Sequence, residues 1–175
     1  MKKFILLTCL VLGLLSERES YAAAKPKHQQ ASKKTPKKIE SIEVCEEKCL
    51  IEINRVRAEH GLPALKNWKQ LSDCAREHSA NMAAEKCPFG HDGFDKRHAQ
   101  MKKQATIYSF GENVACSYNY DEPVKIAVEG WMNSPGHKKN ILGNFEESGI
   151  GVALDKKGKF YITQLFARRK SSPKQ

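Results

Sequence analysis

The stretch KFYITQLFA, residues 159–167, constrains this chain more than any other. Side chains alternate across a strand, so Phe160, Ile162, Gln164 and Phe166 share one face while Tyr161, Thr163, Leu165 and Ala167 share the other. Both faces are largely apolar, and a strand of that kind belongs inside a sheet with helices on each side. Just upstream, SGIGVALD (148–155) is a second β-branched run, joined to the first through Lys156-Lys157-Gly158, a hairpin signal. No helix follows the two glycines of GIGVA, so they do not read as a dinucleotide-binding loop.

The covering layers must come from the earlier residues. In 44–60, Cys49, Leu50, Ile53 and Val56 recur at helical spacing until Gly61 and Pro63 end the pattern. In 68–86, Leu71, Cys74, Ala75, His78 and Met82 predict a second helix, with His78 on its apolar stripe as a core residue. Residues 87–109 contain Pro88, Gly90 and Gly93 without periodicity and read as a long loop, with a short helix around 97–103. A loop that long tends to carry function. Residues 110–118 read as a short strand or turn. Asp121 is expected to cap a third helix that has Pro123 in its first turn and Val124, Ala127, Val128 and Trp131 as its stripe. Asn133-Ser134-Pro135 ends it and starts another helix running to Ile141, with Ser134 as cap and His137 in the first turn. Helices first, strands last and both sheet faces covered make an α+β fold, a three-layer α-β-α sandwich.

At the N-terminus, Lys2 and Lys3 precede an apolar run (4–15) and Ala22-Ala23-Ala24 offers a cleavage site, the pattern of a secretory signal over residues 1–24. The run is too short to cross a bilayer as a helix. A secreted, extracellular or surface location is therefore expected. The net charge of +10 is unevenly spread: acids and bases balance over 41–167, and the excess lies in Lys25, Lys27, Lys33, Lys34, Lys37 and Lys38 and in the C-terminal basic residues. Residues 25–40 read as a disordered basic linker, 41–170 as one domain and 171–175 as a basic tail. The linker suits an anionic surface. A folded basic face with base-reading side chains is missing, so no specific nucleic acid is expected as partner.

Of the six cysteines, Cys9 lies in the signal. Cys45, Cys49, Cys74, Cys87 and Cys116 remain, in an exported chain where disulfides persist, so disulfides are expected with at least one thiol left over. Cys45 and Cys49 lie one helical turn apart, where Cβ atoms are about 6 Å from each other against about 3.8 Å in a disulfide, which argues against a bond between them. There is no C-x-x-C pair to make a zinc knuckle.

Candidates for chemistry are few. Ser134 and His137 are neighbours without a nucleophile elbow, and Ser134 has a capping task. Glu112 in FGEN and Glu129 in EGW lie in weakly charged sequence, where a carboxylate needs a partner. His91 in GHDGF and His137 in PGHKKN add two imidazoles. Two imidazoles and two carboxylates suit a divalent metal such as zinc. The carboxylates alone suit acid/base hydrolysis of a glycan. A hydrogen-bonded polar core with no ligand is the third reading. Spacing does not choose among them.

The segments NRVRAEHGLPALKNW, FGENVA, AVEGWMNSPGHKKNIL, ESGIGVAL and YITQLFA together resemble the CAP superfamily, which comprises cysteine-rich secretory proteins, antigen 5 and plant pathogenesis-related-one proteins, in its shorter bacterial-type branch. The resemblance covers about residues 47–167. It implies a central, mainly antiparallel sheet and a cleft presenting His91, Glu112, Glu129 and His137 to a divalent cation, zinc among the options, with Asn113, Ser134 and Gln164 supporting the cleft. The short connection Ser117-Tyr118-Asn119-Tyr120 leaves little room for the loop linked to sterol binding in eukaryotic members, and no cysteine-rich C-terminal module supports ion-channel modulation. No protease nucleophile carries over. The expectation is a secreted, non-enzymatic domain binding a divalent cation and a small ligand, lipid or extracellular protein. A cell-wall hydrolase using Glu112 and Glu129, and a surface-interaction protein held by its lysine-rich arm, are the alternatives.

Overall fold

The computed structural model describes residues 41–118 and 121–170. The stretches read as signal, linker and tail lie outside them. In chain order the elements are α1 (Ile42–Glu59), β1 (Lys66–Asn67), α2 (Lys69–Ala83), α3 (Phe94–Lys102), β2 (Ile107–Ser117), α4 (Pro123–Met132), α5 (Pro135–Ile141), β3 (Glu147–Leu154) and β4 (Phe160–Arg169).

β4 is an inner strand of a sheet ordered β1-β3-β4-β2, antiparallel to both neighbours, and only the two-residue β1 runs parallel to its partner. Its residues from Phe160 to Ala167 are all buried. The alternation read from the sequence sorts them between two cores. Phe160, Ile162 and Phe166 join Cys45, Cys49, Ile53 and Val56 of α1, Val124, Val128 and Trp131 of α4 and Ile141 of α5. On the opposite face Leu165 and Ala167 join Leu71, Cys74 and Ala75 of α2 and Met101 of α3, while Tyr161 meets Met82 and Val114. The three-layer α-β-α sandwich follows directly.

The two glycines of GIGVA have a packing role. A Cβ on Gly149 would stand 2.2 Å from the Ser72 nitrogen, and one on Gly151 would stand 2.1 Å from the Arg76 nitrogen. The backbone of α2 therefore lies directly on β3, with no side-chain layer between. Ser79 on the same helix donates to the Gly151 carbonyl at 2.8 Å, tying helix to strand.

The NRVRAEHGLPAL motif organises the turn after α1. Asn54 clamps Leu65 through both its amide oxygen (2.8 Å) and its amide nitrogen (3.0 Å). The buried Arg57 guanidinium donates to the carbonyls of Pro63, Ile141, Gly143 and Phe145. One side chain thus closes the C-terminal end of α5 against α1.

Several local expectations differ. β2 is an eleven-residue strand rather than a short strand or turn, because its pairing partner β4 is far away in sequence. α3 begins at Phe94, three residues earlier than the sequence suggested. The α4 cap position is Glu122 rather than Asp121, and its side chain makes no capping bond. Ser134 occupies the α5 cap position, but its hydroxyl makes no capping bond.

The contact between α2 and β3 gives a test. Gly151→Ala places a methyl group against helix backbone that cannot rotate away, so the variant should lose about 3 kcal/mol, near the top of the usual overpacking cost. Urea denaturation followed by circular dichroism measures it, and Gly130→Ala, where nothing lies within 4 Å of the new Cβ, serves as the matched control.

Candidate functional site

β2 is an edge strand, and its alternation divides the candidate residues. Asn113 and Ala115 turn towards α4 and α5, whereas Glu112, Val114 and Cys116 turn towards α2 and α3. The exposed edge is covered in two places. Trp131 Nε1 donates to the Val114 carbonyl at 3.0 Å, and Asn140 donates to the Glu112 carbonyl at 3.0 Å.

Glu112 is the centre of the site. Its side chain is 1% exposed, and burial of a carboxylate demands a partner. That partner is Arg97 of α3, whose Nε and Nη2 donate to the two carboxylate oxygens at 2.6 and 2.7 Å. Arg97 Nη1 also donates to the Asp92 carbonyl at 2.7 Å and reaches His78 Nδ1 at 3.2 Å. One guanidinium thus fixes a strand, a helix and the loop between them.

The proton positions follow from these partners. His91 Nδ1 lies 2.9 Å from Glu112 Oε1, and a carboxylate only accepts, so Nδ1 carries hydrogen. His78 Nδ1 faces a donor, so it accepts, while Nε2 donates to the Gly90 carbonyl at 2.9 Å. His78 is accordingly neutral. Burial, with Arg97 contributing, pushes its pKa below the ordinary value. His78 is the core residue its position in the helical stripe predicts.

His137 comes from the other side of the sheet. It sits in the first turn of α5, and its ring centroid lies 6.1 Å from that of His91, around the edge of β2. Burial, then the neighbouring His91, lowers its pKa and favours the neutral imidazole. Asn113 supports it by donating to the His137 carbonyl at 3.2 Å while accepting from Asn140 at 2.9 Å.

The structure thus brings together His91, Glu112 and His137, with Asn113 behind them. Glu129 is placed elsewhere: it is exposed on α4 and lines a groove against α1, beside Glu52 and Glu59. Trp131 takes the inward position of that turn, so Glu129 two residues earlier points outward. Gln164 is fully buried in β4, opposite Asn113, and bonds Ser148 at 3.2 Å. Ser134 stands at the junction of α4 and α5. Among the described residues no group of three or more His, Cys, Asp or Glu side chains is arranged to hold a metal ion. The expected four-ligand set is therefore not assembled, because Glu112 already serves Arg97 and His91 and Glu129 faces another groove. The residue the sequence reading misses is Arg97. It sits in an aperiodic, mixed-charge stretch; the available signal was that a carboxylate in GENVA needs a nearby cation.

The disulfides expected of an exported chain are not formed among Cys45, Cys49, Cys74, Cys87 and Cys116. Cys45 and Cys49 lie in the core on the α1 side of the sheet, and Cys74 lies in the core on the α2 side, so the sheet separates them.

The chain matches the model of the cysteine-rich secretory protein family, CAP, over residues 50–166. Two Bacillus subtilis (strain 168) proteins are similar to it. The uncharacterized membrane protein YlbC is 35% identical over 139 residues, 75% of this chain and 37% of that one. The uncharacterized protein YkwD is 32% identical over 137 residues, 76% of this chain and 52% of that one. Among solved structures, an extracellular SCP-domain protein from Bacillus anthracis str. Ames superimposes with a TM-score of 0.63 at 30% identity, covering 77% of this chain and 44% of that one. The chain thus spans about half or less of the length of these relatives.

Two outcomes test this electrostatic centre. Arg97→Met strands a buried carboxylate and should cost about 3–5 kcal/mol, whereas Arg97→Met with Glu112→Leu should cost clearly less, because no charge remains uncompensated. Denaturant titration of both variants decides it. Protonation of His78 would oppose Arg97, with Glu112 and His91 the other ionisable groups near it. Its folded-state pKa lies below the ordinary 6.5, so its contribution to stability is complete above that pH and is lost as pH falls through the lower, folded-state value. Melting temperature should drop on acidification below about pH 6.5 more steeply in the wild type than in His78→Gln.

Proposed function

The chain belongs to the CAP family of cysteine-rich secretory proteins, and from that premise we propose an exported, non-enzymatic domain that binds a divalent cation through His91 and His137. The observation that carries the reading is the pairing of these two imidazoles at the β2 edge, 6.1 Å between ring centroids, with Glu112 behind His91. Imidazole ligates a metal in its neutral form, and a carboxylate that holds the other ring nitrogen is the usual support for such a ligand. Glu112 therefore serves as the orienting group for His91 rather than as a ligand itself. Two protein ligands leave the remaining coordination positions to water or to a donor atom of a small ligand. Zinc fits the nitrogen donors.

Hydrolysis by Glu112 and Glu129 is not favoured. Both Glu112 oxygens accept from Arg97, and Glu129 lies in the α1–α4 groove, so the two do not flank a common substrate position. Export rests on the N-terminal signal pattern and on the extracellular description of the Bacillus anthracis relative. YlbC is described as a membrane protein, and no helix among the described residues is long and apolar enough to cross a membrane. The lysine-rich arm ahead of the domain would hold it near anionic wall or lipid material.

Isothermal titration with zinc tests the reading. Wild type and Glu129→Gln should bind alike, His91→Ala with His137→Ala should not bind, and Glu112→Gln should weaken binding by about 10–100-fold through loss of the orienting carboxylate. Absence of binding by the wild type, or unchanged binding by the double variant, overturns it.

A further inference from the structure

Three of the five domain cysteines are closed to chemistry. Burial pushes the Cys49 thiol up to about 12 and the Cys74 thiol to about 11, and Cys45 is buried in the same core as Cys49. Cys87 and Cys116 differ. Both are only half-buried, and both lie against the same small cluster of Met82, Val114 and Tyr161.

The backbone explains why they meet. After α2 the chain turns sharply, with Glu85 at φ 56° and Lys86 N donating back to the Asn81 carbonyl at 2.9 Å. This reversal carries Cys87 onto the sheet face below the helix. Two residues later the Phe89 ring stands 6.4 Å from the Tyr161 ring. Tyr161 is the cross-strand partner of Cys116, so the two share a face of the sheet. The segment starting at Cys87 therefore covers the same patch of sheet that Cys116 packs on. A cation is fixed at the same place. The Lys159 ammonium lies against the Cys116 thiol and within 5.0–5.8 Å of the Tyr161, Tyr118 and Phe89 ring centres.

We infer that Cys87 and Cys116 are a redox-responsive thiol pair whose closure to a disulfide ties the loop carrying His91 to the strand carrying Glu112. The oxidant is a disulfide, in the laboratory oxidised glutathione. The Cys116 thiolate attacks one of its sulfurs and releases a glutathione thiolate, leaving a mixed disulfide on Cys116. The Cys87 thiolate then attacks the Cys116 sulfur, forms the internal bond and releases the second glutathione. Two protein thiols are oxidised, one glutathione disulfide is reduced, and the two thiol protons leave with the glutathione thiolates or to solvent. The pairing accounts for the odd cysteine count: one pair responds, and three thiols stay in the cores. It does not depend on cation binding at the cleft.

The full chain, purified reduced, is incubated with oxidised glutathione, alkylated with iodoacetamide and digested without reductant for mass spectrometry. The expected product is a single cross-link joining the Cys87 and Cys116 peptides, two hydrogens lighter than the separate pair. Cys87→Ser should leave Cys116 as a stable glutathione adduct. Oxidised wild type should melt roughly 10 °C higher than reduced, with slower amide exchange over residues 88–93, and neither change should occur in Cys87→Ser. A cross-link to Cys45, Cys49 or Cys74, or complete alkylation of both Cys87 and Cys116 after oxidant, overturns the inference. The mass readout stands or falls independently of zinc titration.

Discussion

The contact on which the rest of the structure depends is the approach of the α2 backbone to β3 through Gly149 and Gly151, where any Cβ would meet helix backbone at close to 2 Å. It sets the distance between helix and sheet. Because α2 lies so low, Ser79 reaches the Gly151 carbonyl and the Thr163 hydroxyl, both at 2.8 Å. His78, next on the helix, reaches the loop and Arg97. Two absent side chains in β3 thereby place the residues that organise the cleft.

From α2 the connection to the cleft is electrostatic. Arg97 joins the neutral His78, the carbonyls of the His91 loop and the buried Glu112. Glu112 in turn fixes which nitrogen of His91 is protonated. The opposite wall is held by an uncharged network, with Asn113 and Asn140 fastening the His137 turn to the edge strand. The half of the cleft that holds a charge lies on the α2 side, where a guanidinium can be buried with it. The half that holds only amides and carbonyls lies on the α4–α5 side. His91 and His137 meet at the boundary because β2 is the last strand and has no neighbour to keep them apart.

Much of the architecture was legible because it rests on periodicity. The stripe Leu71, Cys74, Ala75, His78 and Met82 marked α2 and its buried histidine, and the two-faced apolar pattern of 160–167 marked an inner strand. β2 was underestimated because FGENVACS mixes glycine, charge and amide; its length is imposed by pairing with β4 some fifty residues on. Of the candidate residues, His91, Glu112, Asn113 and His137 converge at the edge of β2, whereas Glu129 lies in the groove between α1 and α4. Glu129 has the right chemistry, but the position of Trp131 decides which way that turn of α4 faces. Arg97 was overlooked because a charged side chain in an aperiodic segment looks the same whether it is solvated or buried.

The layers follow from the sequence alone, since hydrophobic alternation dictates which faces must be covered, and the sequence also supplies a short set of polar candidates. Only the tertiary structure decided which of them share a site. That depends on sheet order and on which side of the edge strand each residue emerges, and both are set by pairings between segments distant in the chain. The same division applies to the cysteines. Their number and odd count are read from the sequence, but it is the sheet that separates Cys45 and Cys49 from Cys74 and sets Cys87 and Cys116 against one cluster.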